Sequence, residues 1–254
     1  MLVDTHTHIY LNEFDSNVQE IITTATLNGV ATMYMPAIDS TTYAQLLQVE
    51  ALYPVQCKAM AGLHPCSVQA NYKHELAYVA AQLASRKYIA IGEIGLDYHW
   101  DTSFAKQQII AFETQMQWAL DYNIPISIHT RNAMQATIEL VKPFARKGLQ
   151  GIFHCFSGSI ESAQEIIKMG FYLGIGGVVT YKNAGVAEVI AQLGLSHVVL
   201  ETDAPYLSPV PYRGKVNQPS YLTHIAHKLA AVTHTSYEQV AAITTSNAIA
   251  VLGA

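Results

Sequence analysis

Charge is what this chain has least of: only 13% of its 254 residues are Asp, Glu, Lys or Arg. Half of the residues are hydrophobic, which excludes a solvated, disordered chain because there is ample apolar surface to bury. Basic residues are scarcer than acidic ones, 14 against 19, for a formal charge of −5. No global basic field holds nucleic acid to such a protein, so a phosphate-bearing partner has to be met by local cations or by bound metal. Cysteine is rare and odd in number (Cys57, Cys66, Cys155), with no CxxC pair, which argues against a disulfide framework and suits a reducing compartment. No apolar run approaches the length of a membrane span, and MLVDTHTHIY lacks the basic and long apolar segments of a secretory signal. The expectation is a soluble, cytoplasmic protein without a membrane partner. Linkers rich in Pro, Gly or Ser are missing too, which favours one domain over residues 1–254.

What the chain does have is alternation. Strand-like runs fall at Met1–Thr5, Val30–Pro36, Cys57–Gly62, Tyr88–Gly92, Pro125–Ile128, Gly151–Phe153, Phe171–Ile175 and His197–Glu201. Between them lie segments of helical period, among them Val18–Leu27, His74–Leu83, Phe104–Leu120, Ala133–Phe144, Ile160–Met169 and Val186–Leu193. Two more, Tyr221–Ala231 and Tyr237–Leu252, follow the last strand. Repeated βα units predict an α/β fold with a parallel sheet, and eight of them fit a single (β/α)8 TIM-type barrel. An open doubly wound sheet is the competing topology.

In a parallel barrel the chemistry sits at the C-terminal strand ends. Those ends read Asp4-Thr5-His6-Thr7-His8, Glu93 to Asp97, His129-Thr130-Arg131, His154-Cys155 and Glu201-Thr202-Asp203. A lone HxH is a weak signal, since one His at a strand end is usually a hydrogen-bonded rim residue. Convergence changes the weighing: barrel closure brings four His and two carboxylates to one mouth, and such a set is costly to bury without a metal. The residues suffice for two ions. His6, His8 and Asp203 complete one site and His129 and His154 another, with Glu93 spanning both. Imidazole suits zinc, and carboxylate oxygens admit manganese or magnesium. Two such divalent ions share a hydroxide, lower its pKa and clamp the oxygens of an in-line displacement.

The same stretches carry a resemblance. DTHTH, GLHP (Gly62–Pro65), IGEIGLDY (Ile91–Tyr98), IHTRNA (Ile128–Ala133), HCFSG (His154–Gly158), ETDAPYL (Glu201–Leu207) and PYRGKVNQP (Pro211–Pro219) occur in this order over most of the chain. Together they resemble the TatD family of metal-dependent deoxyribonucleases, within the amidohydrolase-type metallo-barrels. The resemblance implies a TIM-type barrel and hydrolysis of DNA phosphodiesters, commonly with 3′→5′ exonuclease character. It also implies His6, His8, Glu93, His129, His154 and Asp203 as ligands. Asn132 stands where family members often carry Asp, which puts a charge-dependent role there in question.

Around this set, Glu201 and Asp4 lie two residues before Asp203 and His6, placed to orient a ligating imidazole or to serve as buried structural carboxylates. His64 faces the same mouth and is read as a contact to phosphate or water. Arg131, Arg213 and Lys215 supply cations for phosphate, and Tyr206 and Asn217 shape that side. His99 and Trp100 are placed to stack on a base, and Cys155 is expected to turn away towards the helices. The expected function is hydrolysis of DNA, single-stranded or at duplex ends, by a metal-bridging hydroxide, with Asp203 accepting the water proton and Glu93 bridging the ions. Two rivals remain. One is a barrel hydrolase of an ester or amide, such as an aminoacyl-tRNA ester; the other is a metal-binding protein without turnover. Glu93, where amide-cleaving barrels often carry a carboxylated Lys, favours the nuclease branch.

Overall fold

In the computed structural model, which describes residues 1–253, eight strands run in parallel: β1 (Leu2–Asp4), β2 (Val30–Pro36), β3 (Cys57–Met60), β4 (Ile91–Asp97), β5 (Ile126–Arg131), β6 (Gly151–Phe153), β7 (Tyr172–Ile175) and β8 (Val198–Leu200). Neighbours in sequence are neighbours in space, β1 to β3 in one ladder and β4 to β8 in another. A bridge between Ala61 and Ile91 joins the two ladders. The ring closes where the amide and hydroxyl of Thr5 donate to the Leu200 carbonyl, at 2.9 and 3.0 Å. This is a (β/α)8 barrel. The helices are α1 (Val18–Leu27), α2 (Tyr43–Leu52), α3 (Tyr72–Ser85), α4 (Ala105–Tyr122), α5 (Met134–Ala145), α6 (Ile160–Lys168), α7 (Val186–Leu193), α8 (Leu222–Thr233) and α9 (Tyr237–Leu252). Among the described residues no helix is long and apolar enough to cross a membrane.

The period-two alternation of the strands divides the apolar residues into two cores. Val198 and Leu200 face the helices, whereas Val199 joins Val3, Tyr34, Met60 and Ile152 in a cluster inside the ring. Ala248, Val251 and Leu252 of α9 complete that inner cluster, so α9 plugs the end at which the strands begin. Its own start is held by a capping box between Ser236 and Gln239. With one end plugged by hydrocarbon, polar groups gather at the other.

Two strands run further than the apolar pattern suggested. Sequence places the apolar run of the fourth at Tyr88–Gly92 and of the fifth at Pro125–Ile128, with the polar residues beyond them as strand ends. The ladder instead continues through Gly95–His129 to Asp97–Arg131, carrying Glu93 and Asp97 within β4. Helix α2 lay outside the segments read from sequence. Tyr43, Leu46 and Val49 are buried while Leu52 is exposed, so its apolar residues spread around the helix instead of forming one stripe.

Gly95 is the position where β4 depends on lacking a side chain. Its φ is +145°, and a Cβ there would run into the backbone carbonyl of His129. Gly95→Ala is therefore expected to destabilise the protein by about 2–4 kcal/mol, through combined strain and overpacking. Thermal unfolding checks this, and a melting temperature equal to wild type would contradict the close β4–β5 approach.

Candidate metal centre

At the open end, Glu93 is buried with its carboxylate between five imidazoles. Its two oxygens face different groups. Oε2 lies 3.2 Å from His6 Nε2 and 3.5 Å from His8 Nε2. Oε1 lies 2.8 Å from His129 Nδ1, 2.9 Å from His154 Nε2 and 3.3 Å from His64 Nε2. Asp203 Oδ1 stands on the Oε2 side, 3.8 Å from His6 Nε2 and 3.6 Å from His8 Nε2. Donor atoms of His6, His8 and Asp203, of His6, Glu93 and His154, and of His64, Glu93 and His129 each lie close enough together to hold a cation.

Three of the loops leave their strands through a left-handed residue. Asn132, Cys155 and Asp203 have φ of 53°, 48° and 57°, immediately or shortly after β5, β6 and β8. Such backbone is uncommon outside glycine and is tolerated best by Asn and Asp. At Asp203 the turn is fixed by its amide donating to the His6 carbonyl at 2.9 Å. At Cys155 it brings the residue onto the cavity wall, where strand alternation predicted that it would turn away. Asn132, exposed, places its side-chain amide 3.4 Å from His99 Nδ1.

The imidazoles meet polar groups on their far sides, and at His8, His129 and His64 these fix the tautomer. The Tyr10 hydroxyl donates to the Pro36 carbonyl at 2.6 Å, so it must accept from His8 Nδ1 at 3.0 Å, which leaves His8 Nε2 a bare lone pair. His129 Nε2 donates to Asp97 Oδ2 at 2.9 Å, which leaves Nδ1 to meet Glu93. His6 Nδ1 meets Ser127 Oγ at 3.1 Å, and His154 Nδ1 lies 3.3 Å from Glu201 Oε1. His64 is set the opposite way: its Nδ1 accepts from the Cys66 amide at 3.0 Å, so the proton sits on Nε2 and points at the centre.

These tautomers test whether a cation fits. His6 Nε2 and His8 Nε2 are 3.2 Å apart, and His129 Nδ1 faces a carboxylate oxygen. Acceptors facing acceptors at such distances need a proton or a metal ion between them. Imidazole and carboxylate together are the donor set of a zinc, manganese or magnesium site, so the residues fit divalent metal.

The charges agree. Burial raises the Glu93 carboxyl, but the imidazoles of His64, His154 and His6 outweigh it and hold the group well below the usual range. Burial pulls His129 down, yet hydrogen bonds to Asp97 and Glu93 hold it above an ordinary imidazole. His154 is likewise pulled down by burial and raised well above by the charges of Glu93 and Glu201. His6 is driven well below by burial and by the charge on His154. Burial pushes Asp203 up to about 6.

Of the outer residues named from sequence, Glu201 is fully buried; its Oε1 takes the Cys155 amide while Oε2 finds no partner. Asp4 meets backbone instead of the His6 ring. It accepts from the His6 amide at 3.3 Å and from the amide and hydroxyl of Thr202, tying β1 to the turn after β8, and burial pushes its carboxyl up to about 8. Asn217 is buried and donates to the carbonyls of Thr202 and Tyr206. His64, Arg131, Trp100 and Tyr206 line the cavity of about 660 Å³ above the centre. Arg213 and Lys215 do not line it; they lie over the rings of Tyr181 and Tyr212, at 4.5 and 5.8 Å. Sequence reasoning gave no role to Asp97, Ser127 or Tyr10. Each lies two or four residues from Glu93, His129 or His8, so the two-residue period that picked out the cluster pointed to them as well.

Residues 3–253 match the family described as TatD related DNase. The metal-dependent hydrolase YabD of Bacillus subtilis is 37% identical over 98% of this chain and 97% of its own. The 3′-5′ ssDNA/RNA exonuclease TatD of Edwardsiella piscicida is 28% identical, with 97% of each chain covered. Among solved structures, the TatD homologue YjjV of Escherichia coli K12 is similar at TM-score 0.94 and 26% identity, covering 100% of this chain and 98% of the other.

The raised imidazoles give a pH signature once divalent metal is removed by chelation. Protonated His129 and His154 stabilise the folded state fully below about pH 6.5, the unfolded value, and that stability is lost as pH rises through their raised folded values. The melting temperature of the chelated protein is expected to fall as pH increases above about 6.5. Added Mn²⁺ or Zn²⁺ displaces the same protons, so calorimetric titration at pH 7 in buffers of different ionisation enthalpy should register proton release. Binding without proton release, with a melting temperature independent of pH, would contradict the protonation assigned to these residues.

Proposed function

The chain belongs to the TatD related DNase family and is a metal-dependent hydrolase, and from that premise we propose that it hydrolyses phosphodiester bonds at the end of a DNA strand, in the 3′→5′ direction. The observation that carries this reading is the division of Glu93, one oxygen towards His6 and His8 and the other towards His129 and His154. His6, His8 and Asp203 would hold one divalent ion and His129 and His154 a second, with Glu93 between them. Bound there, zinc, manganese or magnesium supplies Lewis acidity to a phosphoryl oxygen and makes water a nucleophile at neutral pH.

The protein's own groups account for the rest. Asp203, half-buried and with its carboxyl raised to about 6, is the base that takes the proton of the attacking water. Its left-handed backbone, locked to the His6 carbonyl, keeps that oxygen at the cavity floor. His64 presents an N–H, not a lone pair, and so suits a non-bridging phosphate oxygen. Arg131 offers a planar fork to the same phosphate or its neighbour. Arg213 and Lys215, outside the cavity on the loop after β8, meet phosphates further along the strand.

Asp203→Asn retains size and a carbonyl oxygen but loses the proton acceptor. kcat on a single-stranded oligonucleotide is expected to fall about 10²–10⁴-fold with a much smaller change in KM. Metal content measured on the same sample must stay at one ion or more for the comparison to hold; a metal-replete variant with wild-type turnover would make Asp203 a ligand only. Replacing Arg213 and Lys215 together by Ala should raise KM for DNA at unchanged metal content, and the penalty should shrink as salt is added. A KM penalty that is the same at all salt concentrations would remove phosphate contact as their task.

A further inference from the structure

One large apolar surface at the cavity rim is used neither by the core nor by the centre. Trp100, in the loop between β4 and α4, is 71% exposed, although an indole is among the side chains that gain most from burial. It is nonetheless propped in place. The Arg131 guanidinium lies 5.1 Å from its ring centroid, and the His99 ring meets it edge-on at 4.8 Å. Its backbone is held as well: the amides of His99 and Trp100 donate to Asp97 Oδ1, at 2.9 and 3.3 Å. The other oxygen of that carboxylate, Oδ2, accepts from His129 Nε2. Asp97 therefore fixes the indole and an imidazole of the centre in one frame, so their separation is set by a single buried side chain.

We infer that Trp100, backed by Arg131, is a stacking platform that positions a nucleobase beside the bond to be cleaved. The inference rests on the phosphodiester reading above. An open indole face is complementary to the π-face of a base, which a duplex interior hides between neighbouring pairs. The Arg131 guanidinium lies over one face of the ring, supplying a cation for the phosphate of the same nucleotide and leaving the opposite face to the base. Stacking of this kind tolerates any base, so the platform positions the nucleotide without conferring a sequence preference.

The test compares two single-stranded oligonucleotides that differ only in whether the nucleotides flanking the terminal phosphodiester carry bases or abasic tetrahydrofuran residues. The metal-loaded protein is expected to favour the base-bearing strand in kcat/KM by about tenfold or more, the usual worth of one stacked base. Trp100→Ala should bring that ratio close to one, and Trp100→Phe should keep most of it. A second arm needs no turnover. The chain has two tryptophans, so in Trp118→Phe protein the indole emission reports Trp100 alone, and the base-bearing oligonucleotide should quench it while the abasic one does not. Equal cleavage of both strands by the wild type, or a ratio unchanged in Trp100→Ala, would overturn the platform and leave the phosphodiester reading standing. If no oligonucleotide is cleaved while a carboxylic ester is, the phosphodiester reading fails, and absence of quenching would then overturn the platform independently.

Discussion

A carboxylate buried among five imidazoles is stable only if its charge is matched, and the matching determines how the open end of this barrel is built. Glu93 divides its oxygens between His6 and His8 on one side and His129, His154 and His64 on the other. Leaving such a charge uncompensated would cost several kcal/mol, so protons or cations must enter with it. The protons that satisfy it without metal are those that metal displaces, which links folding, acidity and loading through one residue. The outer partners Tyr10 and Asp97 make this linkage specific, since each fixes which nitrogen its imidazole offers.

The fold separates two solvents. At one end the inner cluster of Val3, Tyr34, Met60, Ile152 and Val199 is sealed by α9, and at the other the strand ends carry ionisable groups around a cavity of about 660 Å³. Strand β7 contributes room instead of a functional group: a Cβ on Gly174 would collide with the Glu201 carboxylate. Asp4 and Thr202 do the converse across the β1–β8 seam, spending hydrogen-bonding capacity on backbone so that His6 and Asp203 start from fixed positions.

The barrel was legible in sequence because its signal repeats: eight apolar runs with helical segments between them leave few topologies. The cluster was legible because His6, His8, His129, His154, Glu93 and Asp203 all follow the apolar run of a strand, a pattern that chain order alone exposes. Strand limits were less so. The apolar runs stop at Gly92 and Ile128, yet Gly92 and Gly95 are where β4 lies closest to its neighbour, and only the spatial partner reveals that. Cys155 escaped for a related reason, since alternation assumes extended backbone and its φ is 48°. The orientation of the imidazoles was out of reach, because the Tyr10 proton is committed by the Pro36 carbonyl, a contact that no spacing rule contains.

The hydrogen bond from the Thr202 amide to Asp4 spans 198 positions of the chain. During synthesis the segment bearing His6 and His8 leaves the ribosome long before Asp203 exists, and domains fold as units once enough of the chain is available. The centre is thus among the last parts of the molecule that can form. A nascent chain carries loose imidazoles for most of its translation, free to meet whichever metal the surroundings hold, but geometric selection among metals begins only after the ring has closed.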